Sequence, residues 1–211
     1  MRLLHLDASA QATRSVTRAL SRDLVHQWVA AHPLTDVTYR DLALFPPTPV
    51  DERWIAAAFT PQELQTPELA GALEESDTLV NELIAADVVV FGVPMYNWTV
   101  PATVKAWLDQ VIRAGRTFRY NGATPEGLVR GKKVIVTAAS AGDYSPSSPL
   151  AHMNHFDPYL KMVFGFMGIT DVEIITVHGY DDHARIPSLA AAQTRISEIA
   201  ESGLEAPERV E

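Results

Sequence analysis

The chain has 211 residues, 47% of them hydrophobic and 20% charged, a balance that suits a globular protein with one full core and excludes a disordered chain. Twenty-six acidic against 17 basic residues leave a net charge of −9 with no basic cluster to offset it, so no nucleic-acid and no membrane partner is expected. With no cysteine there can be no disulfide, thiolate metal site, iron–sulfur cluster or dithiol centre, and any redox chemistry falls to a bound cofactor.

The N-terminus, MRLLHLDAS, lacks the apolar run and cleavage site of a signal peptide. No apolar run approaches the ~20 residues that span a bilayer, and a cytoplasmic location is the expectation.

Arg2 to Asp7 reads as a first strand, and Leu20, Leu24, Val25 and Trp28 follow at helical spacing toward Ala31. Between them lies Ser9-Ala10-Gln11-Ala12-Thr13-Arg14-Ser15-Val16-Thr17, a hydroxyl-rich loop running into a helix start. Unpaired backbone N–H groups, the positive end of the helix dipole and side-chain hydroxyls converge in such a place and suit it to an anion. A plainer reading, in which Ser15 or Thr17 only caps the helix, stays open at this point. The loop matches neither G-x-x-x-x-G-K-[ST] nor G-x-G-x-x-G, which sets aside a P-loop and Rossmann-type dinucleotide binding here.

Asp36 to Leu42 alternates as a second strand, and the proline-punctuated segment from Phe45 to Pro67 reads as an inserted flap with helical pieces such as Asp51 to Phe59. A helix over Pro67 to Ala86 leads into Val88-Val89-Val90-Phe91, a short β-branched run that suits a strand buried on both faces. Pro94-Met95-Tyr96-Asn97-Trp98 follows, presenting aromatic faces and an amide at the carboxyl end of a central strand, where open α/β sheets bind ligands. The alternative is a loop whose aromatics cap the core. Pro101 then enters an amphipathic helix through Val104, Trp107, Leu108 and Val111.

Arg113 to Arg130 reads as a structured excursion carrying Phe118 and Tyr120. Lys132 to Ala139 is a fourth strand ending in Ser140-Ala141-Gly142-Asp143-Tyr144, where small residues let the backbone approach a ligand. Asn154 to Met167 is a helix closed by Gly168, Val172 to Val177 a fifth strand, and Ser188 to Glu201 a last helix. The alternation predicts the α/β class: one domain over 1–211 with inserted segments at about 45–67 and 113–131, built on a doubly wound five-stranded parallel sheet with helices on both faces. The order 2-1-3-4-5 puts the switch point between strands one and three, so the serine loop and the PMYNW turn face one crevice.

Two polar clusters invite a metal reading: His152, His155 and Asp157, and His178, Asp181, Asp182 and His183. Histidines in loops and at helix starts more often cap or stay solvated, so no metal site is expected.

In this order and spacing, S-x5-S-x-T at Ser9, Ser15 and Thr17, PMYNW followed by P-x-T-x-K-A-W-x-D, GRTFRY with PEGLVRGKKV, and FGFMGITDVEII resemble the FMN-dependent NADH azoreductases, also described as NAD(P)H quinone reductases of flavodoxin-like fold. The resemblance implies that Ser9, Ser15, Val16 and Thr17 hold the FMN phosphate. It implies that Pro94, Met95, Tyr96, Asn97 and Trp98 line one edge of the isoalloxazine, and that Ala139, Ser140, Ala141 and Gly142 meet its pyrimidine side. Phe118, Tyr120 and Tyr144 are implied substrate contacts, and no side chain is assigned as catalytic acid or base.

The implied activity is reduction of quinones, and of azo bonds, by NADH or NADPH, with hydride passing through flavin N5 in ping-pong order. A homodimer with its sites at the interface is implied as well: Phe118 and Tyr120, both left exposed on a monomer, would form an apolar patch. Val16 stands where relatives often carry a polar residue, and Ser140-Ala141 replaces a more usual Arg-Gly or Gly-Gly pair. The resembled family uses backbone N–H groups at these places, so the implied cofactor is unchanged. Two other readings compete with this one. A flavodoxin-like electron-transfer protein without a small-molecule acceptor usually has glycine in the hydroxyl loop, which this loop lacks; a receiver-type domain needs aspartate at the end of the third strand, where Gly92-Val93-Pro94 stands.

Overall fold

The computed structural model describes residues 1–204, except the side chain of Gln62. Five parallel strands form the sheet: β1 (Arg2–Asp7), β2 (Asp36–Asp41), β3 (Val88–Pro94), β6 (Lys133–Ser140) and β7 (Asp171–His178), in the order β2-β1-β3-β6-β7. With the small hairpin β4 (Phe118–Asn121) and β5 (Thr124–Gly127) set apart in its own sheet, this is the order read from the sequence. The helices are α1 (Val16–Ala31), α2 (Glu52–Phe59), α3 (Pro67–Ala72), α4 (Glu74–Ala85), α5 (Ala102–Val111), α6 (Phe156–Met167) and α7 (Asp182–Ser202).

Every residue of the central strand β3 is buried, the outcome its unbroken β-branched run calls for. Alternate strand residues belong to different clusters, because successive side chains leave a strand on opposite sides. Leu4, Leu6, Val89, Phe91 and Val93 pack with Leu83 of α4, Trp107 of α5 and Phe164 of α6. Leu3, Val88, Val90 and Ile135 pack with Leu24 and Trp28 of α1 and Ile196 and Ile199 of α7.

Three boundaries depart from the sequence reading. The helix expected over Pro67 to Ala86 is two, broken at Leu73, which is buried and has φ −103° and ψ −3°. Gly71, a poor helix former, sits at the weak point. The helix expected from Asn154 begins at Phe156 with His155 at the N-cap position, and the Asn154 side chain, one residue earlier, satisfies its first amides: Oδ1 accepts from Phe156 N at 3.1 Å and Asp157 N at 3.0 Å. The last helix begins at Asp182, well before Ser188. The Asp181 side chain caps it through Ala184 N at 2.8 Å, and Pro187 is accommodated inside it.

The excursion after α5 turns back onto its own chain. A Cβ on Gly127 would lie 2.2 Å from Gly168 N, so the hairpin backbone lies directly on the C-terminal turn of α6, where Gly168 has φ 98°. Val129 N completes the contact on Met167 O at 2.8 Å.

Candidate functional site

The serine loop between β1 and α1 ends where Ser15 caps the helix, its Oγ accepting from Arg18 N at 3.3 Å and lying 3.1 Å from Thr17 Oγ1. Ser9 and Thr17 are buried, and Ser9 Oγ accepts from Gln11 N at 3.3 Å. The cap reading is therefore correct for Ser15, and it does not compete with anion binding, since hydroxyls and unpaired helical N–H groups remain gathered at one point.

The PMYNW turn is fixed differently. Tyr96 and Thr99 exchange backbone hydrogen bonds at 3.0 and 3.2 Å around Asn97 and Trp98, which have φ 49° and 67°. A two-residue loop with both central residues at positive φ is the form that glycine usually fills; asparagine tolerates it, but tryptophan does not do so cheaply. Trp98 O is anchored by His155 N at 3.2 Å, and Met95 N bonds Ala139 O at 2.8 Å, tying the turn to the end of β6. The two loops also meet: Ala10 N donates to Tyr96 Oη at 3.3 Å.

Both loops border one open cavity of about 970 Å³. Of the residues expected there, Ser9, Ser15, Val16, Thr17, Pro94, Met95, Tyr96, Ala139, Ser140 and Ala141 line it. Asn97 and Trp98 form the adjoining tip, with Trp98 43% exposed. Gly142 and Tyr144 lie beside it, the Tyr144 ring covering Gly142 where an added Cβ would stand 3.0 Å away, and Gly142 O accepting from Ser140 Oγ at 2.8 Å.

Phe118 and Tyr120 do not line the cavity of their own chain. Phe118 is 9% exposed and packs on Phe166 of α6 with ring centroids 4.7 Å apart, which corrects the expectation that both rings would be left open; Tyr120 is 64% exposed. Asp182, which the sequence placed only in a polar cluster weighed for metal, and Arg185, which it did not single out, reach the cavity from the first turns of α7. Arg185 is held by Gly179 O at 3.1 Å and Asp182 Oδ1 at 3.0 Å and adds a cation to the lining of the cavity. Among the described residues, no group of three or more histidines, aspartates or glutamates could hold a metal ion.

Beneath the serine loop lies a charged cluster that the sequence reading also missed. The sheet register puts Asp7 beside Asp41 on one side and Gly92 on the other, and Arg18 bridges the two carboxylates. Its Nη1 and Nη2 meet Asp41 at 2.6 and 2.8 Å, Nη1 stands 3.7 Å from Asp7 Oδ2, and Nε and Nη2 donate to Ser9 O at 3.1 and 2.7 Å. Asp7 also accepts from Ser21 Oγ at 2.8 Å and Tyr39 Oη at 3.2 Å.

Burial pushes the Asp7 carboxyl up, and its bonds and the Arg18 charge do not cancel that. Burial also works upward on Asp41, but the Arg18 guanidinium and the Leu44 and Ala43 N–H groups outweigh it and hold Asp41 low. Burial, with Asp7 and Asp41 nearby, lifts the Tyr39 phenol to about 12. His5, whose buried Nε2 has no hydrogen-bond partner, is pushed down to about 4, first by burial and then by His26 and Arg18. It is neutral at pH 7, so its 3.6 Å approach to Asp7 is no ion pair there.

A crevice at the carboxyl edge of an open parallel sheet, flanked by a hydroxyl loop on a helix start, defines an α/β protein built for a phosphorylated ligand. Comparison with known proteins narrows this. The family model described as flavodoxin-like fold matches residues 1–200. An FMN-dependent NADH:quinone oxidoreductase from Nostoc punctiforme is 47% identical over 197 residues, covering 93% of this chain and 96% of that one. A protein of the same name from Acidobacterium capsulatum is 48% identical over 177 residues, covering 84% and 85%. The crystal structure of an azoreductase from Bacillus anthracis superimposes with a TM-score of 0.87 at 28% identity, covering 96% of this chain and all of that one. The chain belongs to the flavodoxin-like fold family, in the group of the FMN-dependent NADH:quinone oxidoreductases.

The cavity suits the cofactor that this group is named for. The serine-loop hydroxyls at the start of α1 offer a phosphate its donors, Arg185 adds positive charge to the lining, and small side chains leave the backbone of Ala139, Ser140 and Ala141 open to the edge of a flat ring.

Proposed function

We propose that this protein is an FMN-dependent NADH:quinone oxidoreductase that also reduces azo bonds. The observation that carries the proposal is the single cavity into which Ser9, Ser15 and Thr17 open beside Met95, Tyr96 and the Ala139 to Ala141 strand end. FMN held there would supply two-electron hydride chemistry between NADH, or NADPH, and the acceptor.

The chain's own part is binding and orientation. The Ser9, Ser15 and Thr17 hydroxyls and the first amides of α1, with Val16 contributing through its backbone, hold the phosphate end. Backbone groups of Pro94 to Trp98 and of Ala139 to Gly142 meet the ring edge, where hydrogen-bond donors stabilise charge gained on reduction. No side chain in the cavity has to act as acid or base. With the cofactor held there, one site would serve donor and acceptor in turn, a ping-pong order.

The assembly belongs to the proposal too. Two core clusters on alternate strand residues support a doubly wound single domain with helices on both faces and two inserted segments. The exposed aromatics Phe59, Trp98 and Tyr120 support a homodimer, with Tyr120 and the hairpin around Phe118 from one copy, and Tyr144 from the other, contacting the acceptor. Among the described residues no helix is long and apolar enough to cross a membrane. A chain without cysteine is at ease in a reducing compartment, and a cytoplasmic location completes the reading.

Steady-state kinetics with NADH and a small quinone test the activity. Parallel initial-velocity lines are expected; intersecting lines would mean a ternary complex, and no turnover with FMN present would remove the proposal.

A further inference from the structure

We propose that Arg18 is a positioning residue for the phosphate end of the flavin site: it sets the Ser9–Ala10 peptide and thereby the loop that receives the phosphate. The inference rests on the proposed FMN function and deepens it.

The loop has no left-handed backbone residue to set its path. Residues 9 to 17 contain no glycine, and among the described non-glycine residues only Asn97 and Trp98 have positive φ, so the loop has no nest of alternating left- and right-handed residues to cradle an anion. Its shape has to be held from outside, and Arg18 touches both ends. Its backbone N–H donates to the Ser15 cap at 3.3 Å, while its side chain gives two hydrogen bonds to Ser9 O at 3.1 and 2.7 Å.

The guanidinium is itself immobilised. The parallel register sets Asp7 and Asp41 side by side, an arrangement that repels unless a cation lies between, and Arg18 meets Asp41 with both Nη atoms. The Ser9–Ala10 peptide is thus gripped at both poles: its oxygen accepts from Arg18, and its N–H donates to Tyr96 Oη at 3.3 Å. Lysine could supply the charge but not a planar fork that serves Asp41 and Ser9 together.

If Arg18 works through the phosphate, its loss must separate FMN from riboflavin, which differ by that phosphate alone. The test is the dissociation constant of each for the apoprotein, read from quenching of flavin fluorescence, in wild type and in Arg18→Lys, Arg18→Ala and Asp41→Asn. Wild type should prefer FMN. In Arg18→Lys the FMN constant should rise about 10-fold, the loss of one hydrogen bond to a charged partner, while the riboflavin constant stays within about 2-fold. Asp41→Asn, which keeps the side-chain shape, should move the same way by less. If Arg18→Ala does not fold, these two variants decide the matter, and the apoprotein melting temperature reports general damage.

An unchanged FMN preference in Arg18→Lys would overturn the inference, as would equal loss of both flavins, which would mark Arg18 as a support of the whole fold. A wild type that binds neither flavin would instead remove the proposed function.

Discussion

The two loops that border the cavity are held in place by opposite means. The serine loop has an unstrained backbone and is fixed by side chains: Arg18, two aspartates, Tyr39 and the Ser15 cap. The PMYNW turn has few side-chain ties and is fixed by its backbone, with two residues at positive φ closed by the Tyr96 to Thr99 pair. A loop meant for a charged group can borrow a charged network beneath it. A loop meant to present backbone groups to a flat ring is better served by a stiff hairpin, even where a bulky residue bears the strain.

The largest expected effect comes from crowding the network side. In Gly92→Ala the new Cβ would stand 2.3 Å from Asp7 Oδ1 and 3.2 Å from Thr17 O, and a loss of about 3 kcal/mol in denaturant stability is expected. In an Asp7→Ala background the same substitution should cost clearly less, because its nearest obstacle is gone. Additive losses would mean that Gly92 is needed for α1, not for Asp7.

Next, replacing Ser15 and Thr17 together by alanine should weaken FMN binding by about 1–3 kcal/mol in titration, the scale of hydrogen bonds to a charged group. Unchanged affinity would show that backbone amides carry the phosphate alone.

The network should also be visible in pH dependence. The His5 imidazole, lowered from 6.5 to about 4, stays neutral in the folded chain while the unfolded chain takes up its proton, so stability falls as pH drops through that window. Between pH 7 and 5 the fall amounts to about 2 kcal/mol. Asp7, raised above its ordinary value, works in the opposite direction at the lower end, gaining its proton first in the folded chain. Comparing thermal melts of wild type and His5→Gln at the two pH values isolates the histidine: the slope should flatten in the variant, and parallel slopes would exclude a neutral buried His5.

The smallest effect tests the strained turn. Truncating Trp98 to glycine or to alanine removes the same packing, so the difference between the two variants reports backbone strain. Glycine should be the more stable by about 1 kcal/mol, since only glycine is at ease at φ 67°. Alanine equal to glycine would mean that the turn relaxes once the ring is gone.

What the sequence made legible was local. The Val88 to Phe91 run, the Ser15 cap and Gly168 as a helix stop each depend on neighbours a few residues away, and each stands where its pattern put it. The ten cavity residues named in advance were found because strand ends and the turns after them are marked by composition as well as by family resemblance. The charged cluster was not legible: Asp7 meets Asp41 only through a parallel register joining strands 34 residues apart, and nothing local announces that register. Phe118 was misjudged for the same reason, since its cover on α6 comes from a contact between Gly127 and Gly168. The start of α7 was placed late, at Ser188, whereas the Asp181 cap starts the helix at Asp182 and it runs through Pro187, and with that first stretch Asp182 and Arg185 were left out of the site.

The central claim, that this cavity makes a flavin-dependent NADH:quinone oxidoreductase, is tested most directly by anaerobic absorbance spectroscopy of the purified protein reconstituted with FMN. The account predicts flavin bands that bleach on addition of one equivalent of NADH, without any acceptor, and return on addition of a quinone. Bands that persist with NADH, or bleach and fail to return with quinone, would contradict it.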